Sequence, residues 1–276
     1  MSQRYEQRFA ELTQRKQKAF VPFILLGWPD KAVCLESVKT MIVSGASALE
    51  LGLAFSDPVA DGPVIQRAAH ETLASGFKVE DGFNLLQEIR AVDAAIPIGL
   101  LVYYNLVLAY GVEQFFQQCR NVGVDGVLIA DLPVENAPEV LPFAKQNEIA
   151  LIYLISPVTT EERLELICQN AGGFLYLVSR LGVTGTKERD EQIDSHLSAL
   201  IAGVKQRSKV PVCAGFGVSK PEHAETMLSL GADGVITGSR VIEIIRSQTG
   251  AAAQKQLDSF CREMLDVCTK FSAAYR

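Results

Sequence analysis

The sequence predicts an α/β fold, a (β/α)8 TIM barrel with extra N- and C-terminal helices, and three observations carry that reading. Eight short apolar runs alternate with stretches of helical period. The runs are almost continuously Val, Ile, Leu or aromatic, which is the pattern of strands covered on both faces by helices. A weak internal echo, GASALELG from Gly45, GVDGVLIAD from Gly123 and GADGVITG from Gly231, sets a glycine between a helix and the next strand, where an αL residue ends the helix. An open doubly wound sheet is the alternative topology for the same alternation.

In order, the strand candidates are FVPFILL (20–26), ALELGL (48–53), IGLLVYY (98–104), GVLIA (126–130), ALIYLI (150–155), FLYLVS (174–179), VPVCAG (210–215) and GVITG (234–238), each bounded by Gly, Pro or Asp. Helical stretches follow them at 31–44, 63–75, 112–121, 135–146, 160–169, 191–206, 219–229 and 239–247. Residues 2–16 and 252–273 are helical stretches outside the eight units. No Pro/Gly/Ser-rich linker interrupts the chain, and its 276 residues match the usual size of one barrel, so a single domain over 1–276 is expected.

The bulk properties narrow the function classes. With 32 acidic and 26 basic residues the net charge is -6, and the cations are scattered, so the basic footprint of a nucleic-acid binder is missing. Cysteines 34, 119, 168, 213, 261 and 268 form no CxxC, and His70, His196 and His223 lie far apart, so metal-ligand spacing is absent and reduced thiols are expected. The N-terminus MSQRYEQRFAELTQRKQKAF is charged throughout, unlike a targeting segment. The longest apolar stretch, Ile96 to Tyr110, is too short and too interrupted to span a bilayer. A cytoplasmic protein without membrane or nucleic-acid partners is the expectation.

A barrel places its chemistry at the C-terminal ends of its strands. Glu50 lies within the second apolar run, where a carboxyl has a raised pKa unless a partner ionises it. A structural ion pair inside the barrel is the competing role. Asp61 follows in FSDPVADGP; there Asp-Gly-Pro also reads as a turn leading into a helix, with Pro63 at its first position, and Asp57 has the same turn reading.

Signals for a phosphate come later in the chain. SRLGVTGTK (179–187) follows the sixth run, AGFGVSKPE the seventh, and GSR opens a helix at Gly238 and Ser239 after the eighth. Glycines there let an anion approach N–H groups at a helix N-terminus, and phosphate after strands 7 and 8 recurs in barrels. Turn-making glycine is the alternative for each string alone.

At ELGLAFSDPVADGPVIQ (50–66) the sequence resembles tryptophan synthase alpha subunits, and the likeness continues through VPF (21–23), YYNLV (103–107), DGVLIADLPVEN (125–136), SRLGVTG (179–185), GFGVS (215–219) and GSR (238–240). The resemblance implies cleavage of indole-3-glycerol phosphate to indole and glyceraldehyde 3-phosphate in tryptophan biosynthesis. It puts the catalytic pair on Glu50 and Asp61, and the phosphate contacts on Gly185, Phe216, Gly217, Gly238 and Ser239. It lines the indole pocket with Phe23, Leu101, Tyr103, Leu128 and Tyr176, and lets Thr184 position Asp61 when a loop spanning about 180–190 closes. It implies no cofactor in this chain and an alpha2beta2 complex with a beta subunit that carries pyridoxal phosphate. That partner would be faced by the 53–62 loop with Asp57, and by the segments at Asn105 and Pro133. Leu25, Trp28, Ala54 and Arg240 depart from the usual pattern, and Arg240 would add charge near the phosphate.

Splitting the bond from indole C3 to the side chain is a retro-aldol step with two proton transfers. Glu50 is the candidate shuttle, and Asp61, expected to stay ionised, would accept the indole N–H. No Lys occupies a strand position suited to an imine, and Lys187 is read as a loop residue, which disfavours a Schiff-base aldolase. An indole-glycerol phosphate synthase or phosphoribosyl isomerase would need other acid-base groups. A non-catalytic regulatory subunit would have no reason to keep Glu50, Asp61 and Thr184 together.

Overall fold

The structure, a computed structural model, describes residues 2–178, 187–215 and 217–274. Among them, eight parallel strands close into a barrel in sequence order: β1 (Ala19–Leu25), β2 (Leu49–Gly52), β3 (Ile98–Val102), β4 (Gly126–Ile129), β5 (Ala150–Ile155), β6 (Leu175–Val178), β7 (Val212–Gly215) and β8 (Gly234–Thr237). β1 pairs with β8, from Ala19 opposite Gly234 to Pro22 opposite Thr237, so the sheet has no free edge and the open alternative is excluded. All eight apolar runs become strands whose ends lie within two residues of those expected, β1 starting one residue earlier.

Alternate strand residues point into the barrel. Ala19, Val21, Leu128, Ile152, Tyr176, Cys213 and Ile236 form the interior core, while the opposite face of each strand packs under the helices. The floor is closed by the helix Gln3–Gln14, whose Tyr5 and Phe9 join that core. Glycines make room for the plug: a Cβ at Gly99 would stand 2.7 Å from the Tyr5 hydroxyl. Asp125, 3% exposed, ties this end together, accepting from Ser2 Oγ (2.7 Å), Arg4 Nη1 (3.0 Å), Arg90 Nη2 (2.9 Å) and the backbone N–H of Ile98 (2.9 Å). Such a cluster at the N-terminal face serves stability rather than chemistry. The echoed glycines take left-handed φ at their helix ends, +102° at Gly45, +78° at Gly123 and +106° at Gly231.

Four elements differ from the sequence reading. The helix Val79–Val92 makes two helices, not one, between β2 and β3; its N-terminus is fixed by Asp81, which accepts from the backbone N–H of Lys78 at 2.9 Å. Tyr103 and Tyr104 do not continue β3, because Asp131 Oδ1 accepts from Tyr104 N at 2.6 Å and starts the helix Tyr104–Tyr110. The stretch read as one helix over 135–146 is a 3-10 segment, Val134–Glu139, followed by the helix Leu141–Gln146, since Pro138 and Pro142 each remove an N–H donor. The helix Lys187–Arg207 begins four residues earlier than expected and takes in Lys187, which is therefore not on a loop. The terminal helix Gly250–Ala274 packs on the helices Lys31–Val43 and Pro221–Ser229. No helix among the described residues is long and apolar enough to cross a membrane.

Candidate active site

β2 delivers Glu50 into the barrel in register with Phe23 on β1 and Gly99 on β3. The side chain is 3% exposed, and Oε1 has no hydrogen-bond partner among the described residues. Nor does any described cation pair with it, so the structural ion pair is not the role that these residues support. Burial pushes its pKa up from the ordinary carboxylate range to about 8, and the charge of Asp61 adds to the shift. At neutral pH Glu50 thus holds a proton that it can release.

Asp61 stands on the segment between β2 and the helix Pro63–Ala74, in a turn closed by its own N–H on the carbonyl of Pro58 at 3.0 Å. Burial raises its pKa to about 6, opposed by a hydrogen bond from the Tyr103 hydroxyl to Oδ2 at 3.0 Å. The same hydroxyl accepts from Ala60 N at 3.1 Å, and the Tyr103 ring stacks on Phe55 with centroids 5.1 Å apart. Two carboxyl groups in one site are therefore held in opposite states near pH 7, one mostly protonated and the other mostly ionised.

Both carboxyl groups line a cavity of about 320 Å³ at the C-terminal mouth of the barrel. Phe23, Leu101, Leu128 and Tyr176 supply apolar wall, and Gly217, Gly238 and Ser239 supply the far rim. Ser239 starts the nine-residue helix Ser239–Ser247, whose first N–H groups have no carbonyl within the helix to bond. Gly217 has φ +90°, and a Cβ at Gly238 would stand 2.9 Å from the Phe23 ring, so glycine is required at this rim. No Lys or Arg is among the described lining residues. Arg240 instead lies 3.5 Å from Glu243.

Of the residues expected from sequence, Glu50, Asp61, Phe23, Leu101, Leu128, Tyr176, Gly217, Gly238 and Ser239 meet at this one cavity. Tyr103 is 1% exposed and stands behind Asp61 as its hydrogen-bond donor rather than on the wall. Thr184, Gly185 and Phe216 lie outside the described residues. Asp57, Asn105 and Pro133 are exposed and line no part of the cavity. Sequence reading missed Ala130, Val178 and Ile236, which also line it. The strand period of two had the signal, since each is two residues from Leu128, Tyr176 or Gly238.

Comparison with known proteins agrees along the chain. The family model described as tryptophan synthase alpha chain matches residues 9–269. The tryptophan synthase alpha chain of Francisella tularensis is 41% identical over 267 residues, covering 96% of this chain and 98% of the relative. That of Methanothermobacter thermautotrophicus is 43% identical over 243 residues, covering 88% of each. Among solved structures, tryptophan synthase subunit alpha from Legionella pneumophila superposes with a TM-score of 0.86 at 32% identity, over 97% of this chain and 98% of that one. A chain of the tryptophan synthase complex from Pyrococcus furiosus gives 0.80 at 35% identity, over 91% and 99%. With the barrel, the carboxyl pair and these likenesses together, the chain belongs to the tryptophan synthase alpha chain family.

Proposed function

We propose that this chain cleaves indole-3-glycerol phosphate to indole and glyceraldehyde 3-phosphate, with Glu50 as the proton shuttle and Asp61 as the anchor of the indole N–H. The observation that carries the reading is Glu50 itself: a carboxyl buried at the cavity wall, whose Oε1 has no hydrogen-bond partner among the described residues and whose pKa is raised to about 8. Protonated Glu50 gives its proton to indole C3. Positive charge then spreads to the ring nitrogen, where the Asp61 carboxylate meets it. Glu50, now a carboxylate, takes the proton of the adjacent side-chain hydroxyl. As that O–H becomes C=O, the electrons of the C3 to side-chain bond return to the ring and both products form. Every proton that moves is supplied or taken by one residue.

The phosphate is assigned to the N-terminus of the helix Ser239–Ser247 with Gly238 and Gly217, where N–H groups and the helix dipole stand in for the cations that the described lining lacks. Gly185 and Phe216 are read as further contacts, and Thr184 as a positioner of Asp61, from the family resemblance alone. We read the chain as one cytoplasmic domain that works in an alpha2beta2 assembly, with pyridoxal phosphate confined to the beta partner. Asp57, Asn105 and Pro133 face that partner in this reading; their exposure is compatible with it. The test is indole release from indole-3-glycerol phosphate by wild type and Glu50→Gln. Loss of about 10²-fold or more in kcat is expected of a general acid-base group. More than about a tenth of wild-type kcat in the variant would sink the assignment.

A further inference from the structure

Outside the cavity, and at the opposite end of the barrel from Asp125, a second carboxylate collects four donor atoms. Glu71, on the helix Pro63–Ala74, accepts both terminal nitrogens of Arg246 (2.7 and 2.9 Å), the indole N–H of Trp28 (2.9 Å) and Arg67 Nε (3.1 Å). The Arg246 guanidinium also lies 5.1 Å from the centre of the Trp28 ring, and Trp28 is 2% exposed. A bidentate arginine fork with a third donor and a ring beneath it is a directional joint, unlike a single exposed ion pair. The Arg246 hydrogen bonds, with those of Trp28 and Arg67, hold the Glu71 carboxyl far below its ordinary range, near 2, so the joint is charged throughout the working pH range.

What the joint connects gives it a role. The helix bearing Glu71 starts two residues after Asp61, and the helix bearing Arg246 starts at Ser239 on the phosphate rim. Both contact points lie roughly two turns, about 10–12 Å, behind those functional ends. A rotation of about 5° at the joint would move either end by roughly 1 Å, a displacement that by itself costs on the order of 10²-fold in rate. Trp28 supplies an uncharged donor to the same carboxylate.

We propose that the Glu71–Arg246 ion pair, capped by Trp28, is a strut that fixes the span between Asp61 and the helix N-terminus at Gly238 and Ser239, making Glu71 a positioning residue for ligands that bridge the two. This rests on the assignment of the indole N–H to Asp61 and of the phosphate to that helix.

Two probes separate span from fold. Glycerol 3-phosphate reaches only the phosphate rim, whereas indole-propanol phosphate, which lacks the hydroxyls needed for cleavage, reaches both ends. By calorimetry, Glu71→Gln is expected to weaken indole-propanol phosphate about tenfold and to leave glycerol 3-phosphate within about twofold. Arg246→Lys, which keeps the charge but loses the fork, should show the same split at about three- to fivefold and serves if Glu71→Gln does not fold. Equal weakening of both probes, or of neither, overturns the strut. Wild type that binds indole-propanol phosphate but releases no indole from indole-3-glycerol phosphate overturns the lyase reading and leaves the strut standing. Failure of wild type to bind that probe overturns both.

Discussion

The Tyr103 hydroxyl bridges Asp61 and its own loop, donating to Asp61 Oδ2 at 3.0 Å while accepting from Ala60 N at 3.1 Å. A neutral donor aimed at a half-buried carboxylate favours the ionised form, and it opposes the burial that raises Asp61 to about 6. The contact both aims Asp61 and keeps it charged.

Tyr103→Phe is therefore expected to raise the Asp61 pKa and to cut kcat/KM at pH 7 by about tenfold, since hydrogen bonds to charged groups contribute roughly 1.5–3 kcal/mol. The Phe55 stacking partner and the buried ring remain, so the fold should persist. Steady-state kinetics across pH checks it: the acid limb of the profile must move upward. An unmoved limb would assign Tyr103 to packing alone.

The two carboxyl groups also set the whole pH profile. Cleavage as proposed begins with Glu50 protonated and Asp61 ionised. Activity should rise as pH passes about 6, where Asp61 loses its proton, and fall above about 8, where Glu50 loses its own. A bell with those limbs in kcat/KM is the expected result, and an alkaline limb beyond pH 10 would exclude Glu50 as the initial acid.

Much of this site was legible in the chain, for identifiable reasons. Glu50 stood out because a charge inside an apolar strand run has few bland explanations, and the glycines at 217 and 238 because strand ends in barrels are where backbone meets ligand. Tyr103 was visible as a pocket aromatic, but its true contact depends on the turn at 58–61, which no local pattern specifies. Glu71 and Arg246 are 175 residues apart, and nothing local in either helix marks the other as its partner. The helix Val79–Val92 was legible and missed: Asp81 caps it, Arg90 ends it, and Phe83, Leu86 and Ile89 keep helical spacing. Expecting one helix per strand hid it.

A buried carboxyl with no ion-pair partner among the described residues should weaken the fold it serves. Glu50 has its pKa raised from 4.5 unfolded to about 8 folded, so between those values the folded state binds more protons and stability falls as pH rises. The loss is nearly complete above about pH 8 and amounts to about 5 kcal/mol. Glu50→Gln removes this ionisation and should raise the melting temperature, strongly at pH 8.5 and hardly at pH 4.5. Scanning calorimetry at both pH values decides it; equal shifts at the two would mean that the carboxyl is solvated in the folded state.

Asp57 and Asp61 belong to one tight segment: Val59 N donates to the Asp57 carbonyl at 2.8 Å, and Asp61 N donates to the Pro58 carbonyl at 3.0 Å. Asp57 is exposed, and Val59 is 81% exposed, an apolar side chain beside a charge on the loop assigned to the beta subunit. A partner that grips this edge would restrict the turn and so the aim of Asp61, raising the competent fraction without new chemistry. If that fraction goes from about 1% to most of the population, activation approaches roughly 100-fold. Asp57→Ala removes the grip but no reacting group. Indole release measured against added tryptophan synthase beta subunit should then show activation reduced about tenfold or more, with turnover of the isolated chain changed far less. Undiminished activation by a partner shown to bind the variant would mean that the beta subunit acts on Asp61 by a route other than this turn.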